Sequence, residues 1–124
     1  MQESAVESLA RFPDHQSVPA LARIAADHPS AAVRDEVVEA LRLSSSAEVV
    51  VVLARIARED SNAGVQKQAV EALLSLPDER GIDALASMAR NHPRSSMRRE
   101  ALELLISSSG SEARKAAAEF ATSP

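Results

Sequence analysis

One short motif recurs four times along the chain at a constant spacing. "AVESL" begins at Ala5, "VVEAL" at Val37, "AVEAL" at Ala69 and "ALELL" at Ala101. A second motif keeps the same spacing, since "VPALARIA", "VVVLARIA", "IDALASMA" and a decayed "RKAAAEFA" begin at residues 18, 50, 82 and 114. Two independent motifs with one spacing indicate tandem copies of a single structural unit, which restricts the chain to repeat architectures.

Each unit is predicted to contain two helices. In the first motif, apolar residues return after three or four positions, as at Val33, Val37 and Leu41, and such spacing places them on one helical face. The second motif contains the run Val49–Leu53, which alone is typical of a buried strand. Neighbouring copies carry proline-alanine and aspartate-alanine at the positions of Val51 and Val52. The shared register therefore assigns the valine run to a second helix.

Proline and short polar side chains separate the predicted helices. Prolines stand between the apolar stripes, where a missing amide hydrogen does little harm: Pro13, Pro29, Pro77 and Pro93. Asp14, Ser46 and Asp78 align as N-cap candidates of the second helices. Ser45 with Glu48 and Ser109 with Glu112 have capping-box spacing, which is an alternative. His28 and His92, before two of the prolines, are predicted to favour the helix C-termini through cationic character.

Composition excludes several classes of function. The chain has no cysteine, so it has no disulfide, thiolate metal site or cysteine nucleophile. The net charge of −4 and the lack of Trp and Tyr argue against a nucleic-acid binder. Zinc-protease, phosphate-loop and Ser-His-Asp patterns are missing, and no apolar run reaches membrane-spanning length. We therefore expect a non-enzyme with no cofactor and no metal, without membrane or nucleic-acid partners.

The chain resembles the short bacterial form of HEAT repeats. Val33-Arg34, echoed by Met97-Arg98, opens the first helix, and "EALxxL" and "LARIA" follow in register. Ankyrin repeats would need "TPLH", and tetratricopeptide repeats would need Trp, Gly and Tyr positions that are absent. The resemblance implies an all-α, right-handed α-solenoid of about four helix-pair units of 32 residues. It also implies a protein-binding scaffold whose second helices line a concave face, although a few relatives are bilin lyases or flip damaged bases.

The unit boundaries follow from the same register. We expect one domain over residues 1–124, with units at about 1–29, 30–61, 62–93 and 94–124. A lone helix pair cannot bury its apolar faces, so the units must stack on one another. The amphipathic start of the chain suggests a segment excised from a longer bacterial protein. Its composition does not identify a compartment, although the cytoplasm is slightly favoured, and the oligomeric state stays open.

Outward positions of the second helices form the first candidate binding surface. Arginines surround an apolar centre in this set, which consists of Arg23, Val51, Val52, Arg55, Arg58 and Arg90. Such a surface suits an acidic or amphipathic peptide, since guanidinium groups pair with carboxylates and exposed valine adds buried area. The alternative is that Arg23–Asp27 and Arg55–Glu59 are helical ion pairs that only solvate this face.

A second candidate is a basic cluster around the predicted helix start near Ser95. Arg94, Arg98 and Arg99 lie beside unpaired helix amides, where the dipole favours an anion. A phosphate or a carboxylate of a partner would fit there, and an anion-binding or nucleic-acid-binding module is therefore one alternative function. A lyase-type HEAT-like enzyme is another. The structural alternative is a basic turn paired with Glu100 and Glu103.

Overall fold

The chain folds entirely into helices wherever its structure is described. A computed structural model describes residues 14–44 and 46–122, with side chains from Ser17 onward. Its helices are α1 (Asp14–Asp27), α2 (Ala31–Arg42), α3 (Glu48–Glu59), α4 (Ala63–Ser75), α5 (Ile82–Asn91), α6 (Ser95–Ser107) and α7 (Ser111–Thr122), and a 3₁₀ turn spans Pro77–Glu79. No strand occurs within these ranges, and the valine run lies inside α3, which confirms the helical interpretation.

The helices form two layers, and the stack is an α-solenoid. The first helices of the units (α2, α4 and α6) pack in series, and so do the second helices (α1, α3, α5 and α7). The second helices α1, α3 and α5 each pack most closely against the first helix of the following unit, which is α2, α4 and α6 respectively. The division of the chain into four units of fixed limits stays a prediction.

Positions in register share one buried environment. Leu21, Leu53 and Leu85 are fully buried in successive second helices, as the repeat alignment requires. The core consists of Leu, Val, Ile, Ala and Met side chains. The described helices bury no aromatic side chain completely. Small residues such as Ala69 and Ala101, both fully buried, let the first helices pack closely.

Two predicted N-caps of the second helices are wrong. Asp78 adopts a left-handed backbone (φ 59°) inside the 3₁₀ turn, so α5 begins only at Ile82. Ser46 accepts from the amide of Glu48 at 3.2 Å, whereas the N-cap of α3 is Ala47, whose side chain makes no cap bond. The side chain of Asp14 and the whole of Ser45, with its predicted capping box, lie outside the described residues.

The actual side-chain caps belong to the first helices. Ser30 Oγ accepts from the amide of Val33 at 3.4 Å, and Asn62 Oδ1 accepts from the amide of Val65 at 3.1 Å. Arg94 is their counterpart before α6 and makes no such bond. The caps made by Ser30 and Asn62 each satisfy an amide that the helix itself leaves unpaired.

The two histidines at the ends of α1 and α5 have the same local role. His28 Nδ1 accepts from the amide of Ser30, and His92 Nδ1 accepts from the amide of Arg94, both at 3.0 Å. A ring nitrogen that accepts carries no proton. The rings therefore act as caps of these turns through an accepting nitrogen, which differs from the predicted cationic interaction with the helix C-termini. Asp60 caps the amide of Asn62 in the same way at 2.9 Å.

A residue of the preceding unit caps the N-terminus of α7. Glu79, also left-handed (φ 56°), accepts from the amide of Ala113 through Oε2 at 3.1 Å. Ser111 Oγ donates to the other carboxylate oxygen at 3.5 Å. This contact takes the place of the predicted Ser109–Glu112 capping box. Among the described side chains of α7, only that of Ala113 is fully buried, so this helix has the least core of the array.

We expect Asp35→Asn to stabilise the protein at neutral pH and to lose that effect in acid. Partial burial, and then the charge of Glu39, raise the pKa of Asp35 above its ordinary 3.8. The folded state therefore favours the protonated carboxyl, and this stabilisation is lost as the pH rises through the folded pKa. Asparagine avoids the loss, by less than about 1 kcal/mol because the group is largely solvated.

The check is urea unfolding of both proteins near neutral pH and at about pH 3, below the unfolded pKa. The gain from Asp35→Asn should be present at the first pH and absent at the second. Glu36→Gln, in the same turn of α2 but exposed, is the control and should show a smaller difference. An equal gain at both pH values would contradict the electrostatic explanation.

Candidate binding face of the second helices

A row of exposed side chains runs along α3. Val51 has 61% of its surface exposed, and Arg55 and Arg58 are also exposed on the following turns. Val52 does not take its predicted outward place at the apolar centre of the binding surface, because it is 9% exposed and packs into the core. Consecutive helical residues are about 100° apart, so Val52 points to the flank of α3 when Val51 points outward.

A shallow depression lies along this row of exposed side chains of α3. Its volume is about 470 Å³, and its lining consists of Val50, Val51, Ala54, Arg55, Arg58 and Glu59. The apolar part is therefore aliphatic, and two of the three charged side chains are arginines. The structure places three of the predicted residues together at this depression.

The predicted arginines differ in how firmly other side chains hold them. Arg55 Nε lies 3.9 Å from Glu59 Oε2, and both side chains are more than half exposed. Arg58 Nη2 donates to Ser87 Oγ of α5 at 3.0 Å, and the guanidinium of Arg90 lies 5.5 Å from the ring centroid of Phe120. The latter two arginines therefore bridge neighbouring second helices, whereas Arg55 is held only by a long, solvated ion pair.

Arg23 stands apart from that group. It is exposed on α1, and within residues 14–44 and 46–122 it makes neither a hydrogen bond nor an ion pair. The predicted Arg23–Asp27 pair therefore does not form, whereas the predicted Arg55–Glu59 pair does. Of the predicted surface, Arg23 contributes the guanidinium that is most available to a partner.

A second, more enclosed space lies between α1 and α3, and we name it the α1–α3 cleft. It measures about 470 Å³. Its apolar lining consists of Ala22, Ala25, Ala26, Pro29, Val52 and Ile56. Its polar lining consists of His28, Arg34, Arg55, Glu59, Asp60 and Ser61. The cleft has the volume of an ordinary small-ligand or side-chain pocket.

A buried ion pair forms one wall of the cleft. Arg34 Nε donates to Asp60 Oδ2 at 2.8 Å, and Nη2 donates to Oδ1 at 3.2 Å. The hydrogen bond to Asp60 raises the pKa of Arg34, against the opposing effect of burial. Arg34 also donates to the carbonyl of His28 at 2.8 Å, so the pair ties the end of α1, the start of α2 and the end of α3 together.

The predicted anion cluster is already partly engaged. Arg98 Nη1 donates to the carbonyl of His92, the same contact that Arg34 makes to His28. Arg94 Nη2 reaches the carbonyl of Ser61 at 3.5 Å, and Arg99 is exposed. Neither Glu100 nor Glu103 forms an ion pair with them in the described part of the chain. Repeat register explains Arg98 as a structural residue, and its role in anion binding stays a prediction.

The repeat pattern predicted neither the α1–α3 cleft nor the buried position of His92. Its side chain is 1% exposed, and Nε2 donates to the carbonyl of Ala57 at 2.6 Å. The ring thus fills the space between the ends of α3 and α5. Its counterpart one unit earlier is Asp60, which is too short for that role. The available signal was the alternation of histidine and aspartate at this register position.

Neither a metal-binding cluster nor a membrane-spanning helix occurs among the described residues. No group of three or more His, Asp or Glu side chains there is arranged to hold a metal ion. None of the described helices has the length and apolar composition needed to cross a membrane.

Comparison with known proteins agrees with the repeat register. The family model described as HEAT repeats matches residues 1–74 and again residues 24–106. No curated protein and no solved structure matches the chain. HEAT repeats generally serve as protein-interaction and scaffold modules, and the family is typically non-enzymatic. Two overlapping matches over most of the sequence, together with stacked helix pairs at the same spacing, show that the chain belongs to the HEAT repeat family.

Proposed function

We propose that this chain is a non-enzymatic protein-binding module whose second helices bind an acidic, partly apolar segment of a partner protein. The observation that carries the proposal is the exposure of Val51 beside Arg55 and Arg58 in one depression. Neither a lyase nor a nucleic-acid function has a comparable observation in its favour.

Packing does not account for valine at position 51. Its counterparts in register are Pro19 on α1 and Asp83 on α5, and both are exposed. Valine has a lower helix propensity than most residues, by roughly 0.5 kcal/mol relative to alanine. An exposed β-branched side chain therefore costs the helix some stability, and a contact with a partner supplies a reason for it.

The charges around Val51 favour carboxylates as the complement. Arg55 is held by a 3.9 Å ion pair with a solvated partner, so a second carboxylate can replace Glu59 at small cost. Arg58 uses Nη2 for Ser87 and keeps further N–H groups for an incoming group. Guanidinium groups bind carboxylates with two parallel hydrogen bonds, which supplies specificity next to the apolar contact.

The test is selection of peptides from a random library on the immobilised protein, followed by affinity measurement of the enriched sequences. We expect carboxylate-bearing and aliphatic residues to be enriched. Val51→Asp should weaken their binding roughly tenfold, since it removes an apolar contact and adds a like charge. Ile106→Asp is the matched control because Ile106, on α6, is 64% exposed. Equal loss in both variants, or enrichment without acidic residues, would refute the proposal.

A further inference from the structure

Two equivalent spaces between successive second helices are filled differently. Between α3 and α5, the buried ring of His92 donates through Nε2 to the carbonyl of Ala57. One unit earlier, the same register positions hold Asp60 and Ala25. Asp60 turns to Arg34 instead, and the space between α1 and α3 is the cleft of about 470 Å³.

The carbonyl of Ala25 lacks the donor that its counterpart has. Residue 29, four positions further on, is proline, so the helix provides no amide for this carbonyl. No side chain of the described residues donates to it either, although Ala25 lines the cleft. Because Ala25 lines the cleft, a ligand there that brings a donor gains a hydrogen bond that no group of the described residues supplies.

We propose that the α1–α3 cleft binds the imidazole ring of a histidine from a partner protein, in the way that His92 is bound between α3 and α5. Val52 and Ile56 provide the apolar wall for the ring, and the carbonyl of Ala25 accepts its N–H. The inference rests on the proposed function, because a partner segment on the second-helix face would bring the ring to the cleft.

The lining of the cleft favours a neutral donor over a carboxylate. The two arginines of the lining, Arg34 and Arg55, are matched in number by Asp60 and Glu59, so the lining has no net positive charge. A carboxylate cannot donate to the carbonyl of Ala25, and an aliphatic side chain would leave it unpaired. A flat ring with one N–H satisfies both the apolar wall and the acceptor.

The test uses free imidazole, so it measures binding to the cleft independently of any protein partner. Imidazole is titrated into ¹⁵N-labelled protein at about pH 8, where the ring is neutral. We expect amide shifts at the last turn of α1 and around Asp60. Neutral 1-methylimidazole has no N–H and should bind about fivefold more weakly, the usual effect of one lost hydrogen bond. Equal binding of the two compounds, or shifts confined to other regions, would overturn the proposal.

Two variants connect the signal to the cleft. Arg34→Gln with Asp60→His reproduces the pair Gln66 and His92 of the next unit, and its own ring should occupy the cleft and reduce imidazole binding at least tenfold. If circular dichroism shows that this variant is unfolded, Ala22→Met, which narrows the apolar wall, replaces it. Unchanged binding in a folded cleft variant refutes the site.

Val51→Asp separates the two proposals. It should bind imidazole as the wild type does, since Val51 does not line the cleft. A protein that binds imidazole but whose selected peptides ignore Val51 would retain the cleft and lose the proposed function.

Discussion

Leu53→Asp should leave the protein unfolded at room temperature. Leu53 is fully buried at the centre of α3, with its counterparts Leu21 and Leu85 equally buried on the neighbouring second helices. Removing a buried leucine costs about 2–5 kcal/mol, and an unpaired buried carboxylate adds several more. The sum is comparable with the whole stability of an ordinary domain, about 5–15 kcal/mol. Far-ultraviolet circular dichroism and urea unfolding measure the outcome.

The same substitution two residues earlier is the control. Val51→Asp should change the free energy of unfolding by less than about 1 kcal/mol, because position 51 is exposed and surface changes are usually small. Asp83 occupies the same register position on α5 and is exposed there. Ile106→Asp tests exposed apolar residues on the other layer. If Val51→Asp unfolds the protein as Leu53→Asp does, then Val51 belongs to the core and the proposed binding face loses its basis.

Gly81→Ala should cost about 2–4 kcal/mol, near or above the upper end of ordinary overpacking. A methyl group at Gly81 would overlap the carbonyl oxygen of Leu73 and lie 3.0 Å from its Cα. Both atoms are backbone of α4, so no side-chain rotation can relieve the overlap. The backbone angles of Gly81 (φ −90°, ψ −2°) are open to any residue, and the requirement for glycine is therefore one of space alone.

Gly64→Ala is the matched control for that prediction. A methyl group there would meet only Asn62 Oδ1, at 3.0 Å, and Gly64 lies in the first turn of α4. The higher helix propensity of alanine offsets this contact, so the net change should stay within about 1 kcal/mol. Urea midpoints of the two variants decide the comparison. Similar losses in both would contradict the argument that lack of space beside Leu73 is what requires glycine at position 81.

The repeat alone predicted the helices and the family. Four copies of one motif assigned the valine run to a helix, although its local propensity favours a strand. The register also identified Leu21, Leu53 and Leu85 as core and Val51 as exposed, and the structure agrees. These features follow from periodicity, because residues in register on stacked units face the same environment.

The details of each turn escaped the alignment, because they depend on deviations from the repeat. The alignment predicted Asp78 as an N-cap, whereas a left-handed turn delays the start of α5 to Ile82, and the backbone of Leu73 leaves no space for a side chain at Gly81. Glu79 caps α7 from 34 residues away, a contact that no local spacing encodes.

The α1–α3 cleft shows most clearly which features follow from the sequence and which depend on the tertiary structure. The sequence contains its cause, Asp60 in the place of His92, but gives no reason to connect either residue with the carbonyl of Ala25 or Ala57. That connection needs the distance between neighbouring second helices, which only their packing sets. Sequence periodicity therefore determined which residues are equivalent, and tertiary structure decided what each equivalent residue contacts, because side-chain length and helix spacing together decide which partners are in reach.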